Sequence, residues 1–187
     1  MFDGNLRFGV DRVTSPIGRL LVRAGVSADQ ITVVGLLMSV AAAVSIGMGR
    51  LQLGLCLLIL TALPDLLDGA VAKAAGTSSK RGAFFDSTAD RVTDALLLGA
   101  IAWHLLETDR GRLVILPMAL LGVSALISYE RAKAELLGYQ AKGGLMERAE
   151  RMIVLGFGLC FNVILIPVLW VMLALTSILM EMVNQTQ

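Results

Sequence analysis

Four aspartates, Asp65, Asp68, Asp86 and Asp90, stand within 26 residues of a strongly apolar sequence. Asp65 and Asp68 are three apart, and Asp86 and Asp90 are four apart. On helices each pair shares one face. Two helices meeting across the short polar link at 75–81 could turn all four carboxylates into one space. Bare carboxylates that close would repel, and burying them in an apolar setting is costly. A divalent cation among them removes that cost. An oxygen-only donor set suits Mg²⁺, Mn²⁺ or Ca²⁺ rather than zinc. A cation held by Asp65, Asp68, Asp86 and Asp90 would coordinate a phosphate or diphosphate well, and two cations would do it better. Gly69 leaves room for a ligand against the backbone, and the small Ala72 follows one turn on. Lys73 supplies a positive point charge, and Thr77, Ser78 and Ser79 supply hydroxyls. Gly82 permits close helix approach.

A second polar group lies downstream. Ser128, Arg131 and Lys133 close one apolar segment, and Arg148 and Arg151 open the next. Cations converging from two helix ends suit the phosphate of a second substrate, with Glu147 and Glu150 available to hold the arginines. Asp94 is expected either to pair with Arg91 or to cap a network. His104, the lone histidine, reads as an interfacial residue rather than a ligand. No Ser-His or Cys-His pair suggests a protein nucleophile.

The elements that must position these residues read as membrane spans. The 187 residues are 56% hydrophobic, with mean hydropathy +0.76. That is more apolar than a soluble domain of this size. The expectation is one all-α integral membrane domain over 1–187, with no role in nucleic-acid binding. Residues 1–25 would form an amphipathic juxtamembrane helix: Phe8, Val10, Val13, Ile17, Leu20 and Leu21 alternate with Arg7, Arg12, Arg19 and Arg23, which suits an anionic membrane surface. No apolar signal-peptide core precedes it. Gly25 ends this segment, and Ser27 or Asp29 caps the next. Six transmembrane helices are expected near 30–49, 51–74, 83–105, 112–136, 148–164 and 166–183. Pro64 could kink the second. The last two are separated only by Asn162 and Pro167, so one long broken helix is the alternative. All but three of the 16 Lys and Arg (Arg50, Arg110 and Arg112) then fall on the amino-terminal side, which puts both termini in the cytoplasm of a cell-membrane protein. Cys56 and Cys160 read as inert packing residues.

The pattern Asp65-x-x-Asp68-Gly69-x-x-Ala72-Lys73, eight residues, Gly82-x-x-x-Asp86-x-x-x-Asp90 resembles the signature of the CDP-alcohol phosphotransferases. It departs at Lys73, where the family has Arg: the charge is kept and the two-pronged contact is lost. Asp29-Gln30-Ile31-Thr32, Ser128-Tyr-Glu-Arg131-Ala-Lys133 and Gly143-Gly-Leu-Met-Glu-Arg148-Ala-Glu-Arg151 resemble the family's actinobacterial phosphatidylinositol phosphate synthases. The resemblance implies six transmembrane helices behind a surface helix, in a homodimer. It implies two Mg²⁺ or Mn²⁺ ions on Asp65, Asp68, Asp86 and Asp90, with Asp90 also taking the acceptor's proton. It implies that Asp29, Gln30, Ile31, Thr32, Gly69, Lys73 and Ser79 contact CDP-diacylglycerol. Ser128, Arg131, Lys133, Arg148 and Arg151 would bind the phosphate of inositol 1-phosphate. Glycerol 3-phosphate, giving phosphatidylglycerol phosphate, is the rival acceptor. An intramembrane cation or proton transporter is the rival of another class.

Overall fold

The computed structural model describes residues 14–76, 79–108, 110–138 and 148–185. The expectations for residues 3–13, for Thr77 and Ser78, and for the link 139–147 with Glu147 lie outside them. Every regular element among the described residues is helical. We number them α1 (14–23), α2 (Ala28–Gly47), α3 (Leu51–Ala75), α4 (Lys80–Glu107), α5 (Ile115–Leu136), α6 (Arg148–Cys160) and α7 (Leu165–Gln185). Two short 3₁₀ turns, Gly111–Val114 and Asn162–Ile164, lead into α5 and α7.

Among the described residues, three segments are long and apolar enough to cross a membrane: α2, α3, and α5 with the turn before it. The 20 residues of α2 rise about 30 Å, the thickness of a bilayer's hydrocarbon core. Their outward side chains, Val33, Val34, Leu37 and Val44 among them, are apolar and exposed, as a lipid-facing surface requires. α4 has 28 residues but carries Asp86, Asp90, Arg91 and Asp94. α6 has only 13, about 20 Å of helix. The segment from 148 to 183 is broken rather than one long helix: α6 stops at Cys160, and Phe161 leaves helical geometry at φ −119°, ψ 89°. Pro64 lies inside α3, which stays helical through it. Cys56 and Cys160 are free and exposed, not packed inside as expected.

Two compact units divide the chain. One comprises Met1–Ala41 and Cys56–Thr93; the other comprises Ala42–Leu55 and Asp94–Gln187. In the first, α1 turns Thr14 and Gly18 inward and leaves Ile17, Arg19, Leu20 and Arg23 exposed. Gly18 approaches α3 so closely that an added Cβ would stand 2.9 Å from the Ala70 carbonyl carbon and oxygen. Gly25, at φ 79°, ends α1 in a conformation that costs other residues strain. Inside this unit the buried Thr93 hydroxyl donates to Ser39 Oγ at 3.2 Å. In the second unit α7 packs along α5 and α6, and Leu116, Leu120, Leu155, Leu159, Leu165, Leu169 and Met172 are almost wholly buried.

Candidate active site

The first unit holds a cleft of about 500 Å³ lined by the start of α2, the end of α3 and the start of α4. Its position follows from three helix ends. Ser27 caps α2 reciprocally with Gln30: the Gln30 N–H donates to Ser27 Oγ at 3.2 Å, and the Ser27 N–H donates to Gln30 Oε1 at 3.0 Å. This capping box fixes the first turn. Asp29 and Thr32, three apart and therefore on one face, line the cleft. The two residues between them turn elsewhere. Gln30 serves the cap, and Ile31 is buried in the core at 8% exposure. Neither is among the residues lining the cleft.

The last turns of α3 contribute Asp68, Gly69, Ala72 and Lys73. Asp68 is buried at 9% exposure. The Thr32 hydroxyl is shared between Asp68 Oδ2 at 3.1 Å and the Ala28 carbonyl at 3.2 Å. Gly76, at φ 63°, ends the helix. Ser79 caps α4: its Oγ accepts the Gly82 N–H at 3.1 Å, an N-cap that orders the turn carrying Arg81, Gly82 and Ala83. One turn on, Asp86 completes the lining. Asp29, Thr32, Asp68, Gly69, Lys73, Ser79 and Asp86, seven of the residues expected from sequence, thus meet in one cavity.

Asp65 and Asp90 are not among the lining residues. Asp65 is exposed, one turn before Asp68. Asp90 is partly buried, with Oδ2 3.6 Å from the Arg91 guanidinium. Among the described residues, no three carboxylate, imidazole or thiol groups cluster tightly enough to define a metal site by themselves. The charge distribution nevertheless fits a cation. Asp68 is withdrawn from water and feels the negative charge of Asp86 and, less, that of Asp65. Carboxylates so arranged favour a divalent counter-ion, and the all-oxygen donor set suits Mg²⁺ or Mn²⁺.

The basic residues expected to bind a second phosphate belong to the other unit, and their surroundings differ from one another. Ser128 donates to the Ser124 carbonyl of its own helix at 2.9 Å. Arg131 is partly buried and Lys133 is exposed. Arg151 is buried and donates to Asp94 Oδ2 at 3.2 Å, and Arg148 Nε lies 3.6 Å from Asp94 Oδ1. Asp94 is therefore the carboxylate between these two arginines. Of the two expectations for Asp94, the contacts with Arg148 and Arg151 match the capped network, and Arg91 makes its ion pair with Asp90. His104 is buried in the same unit, beside Gly49.

Sequence reasoning did not single out Arg81, which lines the cleft. The available signal was a second basic residue beside Gly82, in the same link as Ser79.

The family model for CDP-alcohol phosphatidyltransferase matches residues 26–183. Phosphatidylinositol phosphate synthase of Mycobacterium marinum is 39% identical over 145 residues, covering 76% of this chain and 62% of that protein. The synthase of the same name from Corynebacterium glutamicum is 38% identical over 152 residues, 79% of this chain and 69% of that one. The chain thus spans about two thirds of the length of these curated relatives. Among solved structures, Mycobacterium tuberculosis phosphatidylinositol phosphate synthase with CDP-DAG bound superposes with TM-score 0.87 at 34% identity, covering 94% of this chain and 93% of that one. The same enzyme in complex with manganese and citrate superposes with TM-score 0.86 at 33% identity, covering 92% and 88%.

Proposed function

The chain belongs to the CDP-alcohol phosphatidyltransferase family, and from that membership we propose that it moves a phosphatidyl group from CDP-diacylglycerol to inositol 1-phosphate, releasing CMP. One observation carries the reading to this chain's own residues. The signature residues Asp68, Gly69, Lys73 and Asp86 share a cleft with Asp29, Thr32 and Ser79, and the relatives that match most of this chain include a synthase with CDP-DAG bound.

Asp65, Asp68, Asp86 and Asp90 would hold Mg²⁺ or Mn²⁺, two ions per subunit. When bound, the ions neutralise charge on the transferred phosphate. A manganese complex of the tuberculosis enzyme supports the divalent chemistry. The chain's own groups do the rest. The run Asp29, Gln30, Ile31 and Thr32, with Gly69, Lys73 and Ser79, binds and orients the nucleotide. Ser128, Arg131, Lys133, Arg148 and Arg151 bind the acceptor's phosphate. Asp90 accepts the proton of the acceptor hydroxyl. The acceptor oxygen then bonds to the phosphorus that carries the diacylglycerol, and the bond from that phosphorus to the oxygen of CMP breaks.

The same reading makes 1–187 a single membrane domain of six spans behind a surface helix, in the cell membrane, with both termini cytoplasmic, and paired as a homodimer. Family membership favours it over a cation or proton transporter. The names of the relatives favour inositol 1-phosphate over glycerol 3-phosphate. Incubating purified protein and Mg²⁺ with CDP-diacylglycerol and each acceptor, while following CMP, tests the reading. CMP release that requires inositol 1-phosphate is expected. Release only with glycerol 3-phosphate would move the protein to the rival synthesis, and no release with any acceptor would overturn the reaction.

A further inference from the structure

We propose that Arg81 supplies the two-pronged guanidinium contact to the nucleotide's diphosphate that Lys73 is unable to make. The inference rests on the reading of the cleft as a CDP-diacylglycerol site. Among the described residues two cations line that cleft, Lys73 and Arg81. They are not equivalent. Lys73 takes part in an interaction inside the protein, and an ammonium offers a point charge without a planar fork. Arg81 is exposed and makes no hydrogen bond or ion pair among the described residues. All five of its N–H donors are available to a ligand.

Its position strengthens the case. Arg81 follows Lys80 in the first turn of α4, a turn that contains no acidic residue. The positive end of a helix dipole disfavours cations there. Two adjacent cations at that end cost stability, and an arriving anion repays the cost. The Ser79 cap holds the turn so that the guanidinium borders the same cavity as Asp68 and Asp86. A diphosphate whose one side meets cations on the carboxylates has oxygens left on the other, and a guanidinium matches two of them at once.

The test compares Arg81→Gln and Arg81→Lys with wild type by titration calorimetry, using CDP and CMP as probes with Mg²⁺ in saturating excess, followed by CMP-release kinetics. Loss of a charged two-pronged contact is expected to weaken CDP binding about tenfold or more in Arg81→Gln. CMP, which lacks the second phosphate, should lose much less. Arg81→Lys should recover only part of the affinity. Lys73→Arg in the Arg81→Gln background should restore CDP binding and the KM for CDP-diacylglycerol, without altering the acceptor's KM. Unchanged CDP affinity in Arg81→Gln, or equal losses for CDP and CMP, overturns the proposal. The two readings fail separately. Wild-type protein that binds CDP through Arg81 yet releases no CMP keeps this contact and loses the reaction. Wild-type turnover with an indifferent Arg81→Gln keeps the reaction and loses the contact.

Discussion

The Arg151 guanidinium donates to Asp94 Oδ2 at 3.2 Å, joining the first turn of α6 to α4 across 57 residues of sequence. Both side chains are less than a tenth exposed, and Arg148 shares the same carboxylate at 3.6 Å. Asp94 thus ties Arg148 and Arg151 together at the start of α6. It also fixes the arginines' orientation before any ligand arrives.

Asp94→Asn should therefore act twice. It removes a charged partner of the buried Arg151, at a cost of about 3 kcal/mol. Thermal unfolding in detergent should show a clearly lower midpoint. The KM for the phosphorylated acceptor should rise, and CDP affinity, which depends on other residues, should hold. An unchanged midpoint would mean that the pair is solvated and contributes little.

Asp68→Asn separates the cation's role from the fold's. The carboxylate is buried next to like charges, so its removal should raise the unfolding midpoint measured in chelator. Mg²⁺ should stabilise the wild type and not the variant. A ligand at about a hundred times its Kd adds about 2.7 kcal/mol. Equal stabilisation of both proteins by Mg²⁺ would place the cation away from Asp68.

Thr32→Val keeps the shape of the side chain and removes the hydroxyl that contacts Asp68 at 3.1 Å. A hydrogen bond to a charged group contributes about 1.5 kcal/mol or more. The variant should lose stability of that order, together with some affinity for CDP. The Ser27–Gln30 cap keeps the start of α2 in register, so circular dichroism should show unchanged helix content.

Gly18→Ala should destabilise by about 1–3 kcal/mol, because the new methyl would meet the backbone of Ala70, which has nowhere to yield. Gly99→Ala is the control. Nothing lies within 4 Å of the added Cβ, so helix propensity alone acts and should add about 1 kcal/mol. Trypsin cleavage after Arg19 and Arg23 should speed up in the first variant and not in the second. Equal behaviour of the two would show that α1 does not depend on this close contact.

The sequence by itself determined the apolar runs, the helix-compatible spacing of the acids and the break around Asn162. Each is a matter of local period and composition. The spacing of Asp29 and Thr32 already put them on one face. The same geometry points the Gln30 and Ile31 side chains elsewhere, because neighbours one residue apart on a helix do not look in the same direction. Only the tertiary structure decided which carboxylate is buried, since the burial of Asp68 depends on α2 packing against α3 through Thr32. The partner of Asp94 was equally hidden. Arg91 is three residues away in sequence and exposed, whereas Arg151 sits on another helix, and local spacing says nothing about which helix packs alongside. Arg81 could be counted among the charges of a polar link, but its place in the cleft depends on how Ser79 caps α4. Periodicity sets the face a residue occupies; what that face meets is set by contacts between residues far apart in the chain.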